Sequence, residues 1–311
     1  MQILTDLFSD YTTRTVLLGS MGIGAVSGAL GCFSYLRRQS LIGDVVSHSS
    51  LLGIMVIFLV SYWLTGEGSK SLFVLIPGAL ASGVASLVLT RWIVDRTPVR
   101  EDSGLGTMLA IFFGGGILLL RYVQRSSTVI PGRRGLKDFL FGMSASMTRD
   151  DLIMIAIIGG LSLLALLAYW RQLKVFTFDP LFSHCLGFNT RFLSLLLIVL
   201  MVNGIVVGIQ CVGVILMIAL LVTPAAAARQ WTSSLGSMVL LSAVFGGMAG
   251  AAGSITSSLV SKLPAGPVIV LAGCVIFLFS ILFAPRRGIL TVKLLQLRAA
   301  EESDLDEGLA S

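Results

Sequence analysis

Long apolar runs follow one another along nearly the whole chain, separated by short breaks that hold most of the charges, glycines and prolines. Nine runs stand out, at roughly 15–35, 41–64, 72–92, 104–122, 152–170, 192–209, 211–228, 236–260 and 267–284. Each approaches the ~20 residues that a helix needs to cross the hydrocarbon core of a bilayer. A transmembrane β-barrel would instead alternate apolar and polar positions over about ten residues per strand, and these runs are continuously apolar. The pattern predicts an all-α, polytopic membrane bundle of about nine transmembrane helices. The sixth and seventh runs are the least separated, and an eight-span arrangement, or a partly re-entrant segment at residues 121–151, fits the same pattern. The bundle forms one domain over residues 1–290. Over 291–311 the chain turns from basic "TVKLLQLR" to acidic "EESDLDEG", which reads as a polar cytoplasmic tail.

Composition agrees with this reading: 55% of the 311 residues are hydrophobic, 12% are charged, and the mean hydropathy is +0.94. The net charge of +6 does not mark a nucleic-acid binder, because the basic residues stand singly or in pairs at the ends of apolar runs. They are better explained by topology. With the N-terminus outside and the C-terminus cytoplasmic, thirteen of the 22 Lys/Arg fall inside, and six of the nine outside lie in residues 121–151. The opening "MQILTDLFSDYTTRT" carries acids where a secretory signal carries bases, so the first span is expected to stay. Cys32, Cys185, Cys211 and Cys274 lack C-x-x-C spacing and read as small apolar residues. The 34 glycines gather within the spans, a composition that lets transmembrane backbones approach closely.

One stretch breaks the apolar rule. "LIGDVVSHSSLLGIMVIFLV", residues 41–60, carries Asp44 and His48 at the start of a span, where an ionisable group costs at least about 2.5 kcal/mol on insertion scales. At i and i+4 the two side chains share a helix face. A carboxylate oxygen and an imidazole nitrogen so placed suit Mn, Fe or Zn, whereas Ca and Mg favour oxygen alone. Two side chains fall short of the four to six donors such ions take, so a second copy of the pair across a twofold axis would be required. Two plainer readings remain: an Asp–His hydrogen bond inside the bundle, or Asp44 as an N-cap after Gly43. Glu101 and Asp102, just before the fourth span, divide in the same way between helix-start electrostatics and a route for a cation. His184 lies in the polar stretch "FDPLFSHCLGFN", outside any span.

Other chemistries lack their markers: no H-E-x-x-H and no G-x-S-x-G occurs. "GEGSKS", residues 66–71, lacks phosphate-loop spacing and reads as a turn. An intramembrane metal enzyme would want three protein ligands and a general base in one chain. A proton-coupled secondary metal carrier, working without an ATPase, would usually repeat its Asp/His motif, and this chain holds one.

Several stretches occur in a telling order: "LRRQSLIGDVVSHSSLLG", "VREDSGLGTML", "FDPLFSHCLGF", "LLVTPAAAAR", "LPAGPVIVLAG" and "FAPRRG". Together, over roughly residues 15–290, they resemble the permease family of bacterial manganese, zinc and iron ABC importers. The resemblance implies a multi-pass subunit of the bacterial cytoplasmic (inner) membrane that is not itself an enzyme. Its implied partners are a second permease copy or a paralogue, cytoplasmic ATP-binding subunits, and an extracytoplasmic metal-binding protein. No permanently bound cofactor is implied; a divalent transition metal is the transported substrate, with Asp44 and His48 matching the pathway ligands. Asp179, Pro180, His184 and Gly187 fall in the stretch similar to the loop that docks on the ATPase. Metal binding is then expected to weaken as His48 takes a proton, below its reference pKa of about 6.5.

Overall fold

The computed structural model describes residues 11–37, 41–66, 72–125, 147–213, 217–260, 263–285 and 288–291. The helices in chain order are α1 (Tyr11–Leu36), α2 (Leu41–Thr65), α3 (Leu72–Arg96), α4 (Glu101–Arg125), α5 (Arg149–Ala168), α6 (Trp170–Phe178), α7 (Pro180–Cys185), α8 (Thr190–Val212), α9 (Met217–Trp231), α10 (Leu235–Leu259) and α11 (Ala265–Phe283). No strand occurs among the described residues. Eight of these helices are long and apolar enough to cross a membrane, and the chain is an all-α multi-pass bundle.

The seventh run, 211–228, resolves differently from the rest. Helix α8 continues to Val212 and stops at Gly213, whose φ of 89° leaves the helical region. The next helix, α9, begins at Met217 and has 15 residues. At 1.5 Å rise that is about 22 Å, short of the ~30 Å hydrocarbon core. The sequence expectation about residues 126–146, the turn at 67–71 and the tail beyond 291 falls outside the described residues.

The core is built around α1 and α8, each with 72% of its span window buried. Helix α1 lies against α10 with almost nothing between the backbones. A Cβ on Gly24 would overlap the carbonyl of Gly246, and one on Gly246 would overlap that of Gly24. Along the same line Ser242 Oγ donates to Gly28 O at 2.7 Å, Ser20 Oγ donates to Gly250 O at 3.1 Å, and the Ser20 and Ser254 hydroxyls meet. Small residues and interhelical hydrogen bonds of this kind replace the hydrophobic drive that lipid removes.

Helix α2 is held in the same manner on two sides. Gly53 faces Gly78 of α3 without room for a Cβ on Gly53, and Ser82 Oγ donates to Ser49 O at 2.6 Å. On α4, a Cβ at Gly116 would stand 2.9 Å from Leu52 N and 3.1 Å from Leu51 Cγ. Between the fifth and sixth spans the chain forms α6 and α7, outside the long apolar helices. Asp179 caps α7 by accepting a hydrogen bond from Phe182 N at 2.9 Å, and Pro180 occupies its first turn, where a missing N–H costs nothing.

Candidate functional site

Helix α2 starts at Leu41, so Asp44 lies within its first turn and is not an N-cap. The N-terminal end of a helix dipole favours a carboxylate there. His48 follows one turn later on the same face, with Nε2 4.0 Å from Asp44 Oδ1. That separation is too long for a hydrogen bond, so the pair is not the internally bonded Asp–His of the plainer reading. Two donors to a single ion, each at ~2.0–2.2 Å, stand about 3–4 Å apart. The 4.0 Å separation of these two atoms lies at the upper end of that range.

The two side chains differ in exposure. Asp44 is 36% exposed and His48 18%. The Nδ1 atom of His48 is buried and has no hydrogen-bond partner among the described residues. Its ring packs against Phe113 of α4, centroid to centroid 4.5 Å with the planes at 61°. The hydroxyls of Ser47 and Ser49 are also buried without partners, while Ser50 Oγ donates to Val46 O at 2.7 Å. No group of three or more His, Cys, Asp or Glu side chains converges among the described residues. Among the described residues the carboxylate and imidazole that meet here are those of Asp44 and His48.

A second polar region lies where α1, α3, α4, α6, α7 and α8 end near one another. It is a cleft of about 470 Å³ whose walls include Arg37, Arg91, Asp95, Glu101, Pro180 and His184. Glu101 and Asp102 occupy the first turn of α4, as helix-start electrostatics predict. Only Glu101 of the two lines the cleft. The Arg37 guanidinium stacks over the Phe176 ring at 4.7 Å. Burial, with Arg91 adding to it, pushes the Arg37 pKa below its ordinary value, and the Glu101 carboxylate works in the opposite direction.

The stretch 179–188 presents an apolar surface outside the spans. Leu181 is 80% exposed, and Phe182, Leu186 and Phe178 are exposed beside it. Ser183 is buried, and Gly187 closes the turn with φ 81°. His184 is exposed, as its polar setting suggests, while Cys185 is an exposed free thiol in place of the apolar filler that the sequence indicates. The structure thus brings Glu101, Pro180 and His184 to one cleft, and keeps Asp44 and His48 together on α2. Arg37, Arg91 and Phe113 were not singled out by sequence. An arginine within the run "LVLTRWIVDR" was a usable signal for Arg91, whereas a phenylalanine in an apolar run carries none.

The model of the ABC 3 transport family matches residues 9–284. The zinc transport system membrane protein TroC of Treponema pallidum is 44% identical over 291 residues, covering 93% of this chain and 95% of that relative. The manganese transport system membrane protein MntC of Bacillus subtilis is 40% identical over 288 residues, covering 92% of this chain and 64% of that one. Among solved structures, PsaBC from Streptococcus pneumoniae in complex with Fab superposes with a TM-score of 0.79 at 30% identity, covering 94% of this chain and 99% of that chain.

Proposed function

The chain belongs to the ABC 3 transport family, and on that footing we propose that it is the membrane-spanning permease subunit of an ATP-driven importer for a divalent transition metal. Mn and Zn are the metals named for its relatives, and Fe suits the same donors. The observation that carries the reading is the Asp44–His48 pair: a carboxylate oxygen and an imidazole nitrogen 4.0 Å apart, not hydrogen-bonded to each other, on one face of α2. Asp44 offsets the charge of the cation, and His48 selects against Mg and Ca, which prefer oxygen ligands. A second permease copy or paralogue supplies the remaining donors across a twofold axis.

ATP hydrolysis belongs to separate cytoplasmic subunits, and an extracytoplasmic binding protein delivers the ion. The exposed Leu181 and Phe182 of α7 are the apolar knob that such an ATPase would receive, with Asp179, Pro180 and Gly187 fixing its shape. Glu101, which lines the cleft beside α7, is the carboxylate that would pass a cation on toward that face. A carrier coupled to protons would need no ATPase, and membership in an ABC family speaks against it. In this reading the membrane is the bacterial inner membrane and the C-terminus is cytoplasmic. Replacing both Asp44 and His48 with alanine is expected to abolish metal accumulation in cells while the subunits still co-purify. Normal accumulation by that variant would refute the assignment.

A further inference from the structure

A histidine that ligates a metal through one ring nitrogen almost always donates its other N–H to a carboxylate, a carbonyl or water, and that bond fixes the ring orientation. His48 has no such partner among the described residues: its Nδ1 is buried and unbonded. Something else must hold the imidazole so that Nε2 faces Asp44. The aromatic ring packed against it among the described residues is that of Phe113, edge to face at 4.5 Å. We propose that Phe113 is a positioning residue for the metal pair, taking by ring packing the role that a hydrogen bond to Nδ1 usually fills. This inference rests on the reading of His48 as a ligand.

The helix geometry explains why Phe113 can do this. Gly116 of α4 sits against Leu51 and Leu52 of α2, so closely that a Cβ would lie 2.9 Å from Leu52 N. One turn before Gly116 is Phe113; one turn before Leu51 and Leu52 is His48. The same backbone approach that admits only glycine at one level therefore sets the phenyl ring against the imidazole at the next. An edge-to-face contact restricts the tilt of both rings. With Nδ1 enclosed, Nε2 is the nitrogen left for a cation. Phe113 itself touches no ion, and its effect is on the population of the ligating rotamer.

The test is a Co²⁺ titration of the purified full-length chain in its native membrane assembly, followed by the visible ligand-field bands that nitrogen coordination shifts. His48→Ala, Phe113→Ala and Phe113→Tyr are compared with the parent, each first checked for assembly by size exclusion. His48→Ala is expected to lose the nitrogen-dependent bands. Phe113→Ala is expected to bind about 10–100-fold more weakly, the usual cost of losing a group that orients a ligand, and Phe113→Tyr, which keeps the ring, is expected to restore the parent affinity and spectrum. If His48→Ala loses the bands while Phe113→Ala keeps the parent affinity and spectrum, the positioning role is overturned and the ligand assignment stands. The positioning role is equally overturned if Phe113→Tyr is as weak as Phe113→Ala. If His48→Ala keeps the parent bands, the ligand assignment fails and the inference falls with it.

Discussion

Gly187 has φ 81° and nothing within 4 Å of where a Cβ would stand, so its substitution tests backbone conformation without a steric clash. Alanine there is expected to cost about 1 kcal/mol, and asparagine less, because a Cβ disfavours the left-handed region and asparagine tolerates it best after glycine. Thermal unfolding of the purified chain in detergent would measure both. At this scale the sequence was informative wherever chemistry interrupts hydrophobicity. Asp44 and His48 were legible because a carboxylate and an imidazole one turn apart stand out in an apolar span. Phe113 was not, since its value depends on a neighbour 65 positions away and its residue type is the commonplace of its surroundings. Arg37 read only as an end-of-span charge, and its stacking on Phe176 required the fold to bring α1 and α6 together.

Among elements, the glycines divide sharply. Gly160 of α5 has open space around its Cβ position, whereas Gly53 of α2 is pressed on Gly78. Gly160→Ala is therefore expected to be neutral or to stabilise by up to about 1 kcal/mol through helix propensity, and Gly53→Ala to reduce the yield of folded protein sharply, both read by fluorescence-detected size exclusion. Sequence alone could not rank them, because each sits in a similar apolar run. The α8–α9 junction shows the same limit: "IVVGIQCVGVILMIALLVTP" holds no charge to mark a break, and the stop at Gly213 follows from its positive φ. Helix α7 starts on Asp179 as N-cap and Pro180 in its first turn, whereas the sequence placed that stretch only by its likeness to a docking loop. Replacing Leu181 with aspartate puts a charge on an 80% exposed apolar position. If α7 docks on an ATP-binding subunit as proposed, this change is expected to abolish co-purification of that subunit and to leave the elution of the permease itself unchanged.

Over the whole molecule, burial is uneven. Helices α1 and α8 are mostly enclosed, while the span windows of α4, α5 and α11 are only 22–28% buried. Those outer helices carry leucine, isoleucine and phenylalanine outward, a surface for lipid or a second permease. The cleft lined by Arg37 and Glu101 gathers the ends of six helices, and Arg37 ties α1 to the α6–α7 unit through Phe176. Arg37→Ala is expected to raise amide hydrogen exchange over residues 170–188 by several-fold, with the long helices unchanged, since a partly desolvated cation–π contact is worth about 1 kcal/mol. Equal exchange in both proteins would mean that the contact does not secure that unit.

The α1–α10 line also bears on motion. Its glycine carbonyls and serine hydroxyls meet at fixed heights along the two axes, and sliding one helix by a single residue would drive a side chain into the opposing main chain. Such a joint behaves as a keel. Any rearrangement of the bundle is therefore expected to carry these two helices together, because their backbones touch too closely to slip past one another.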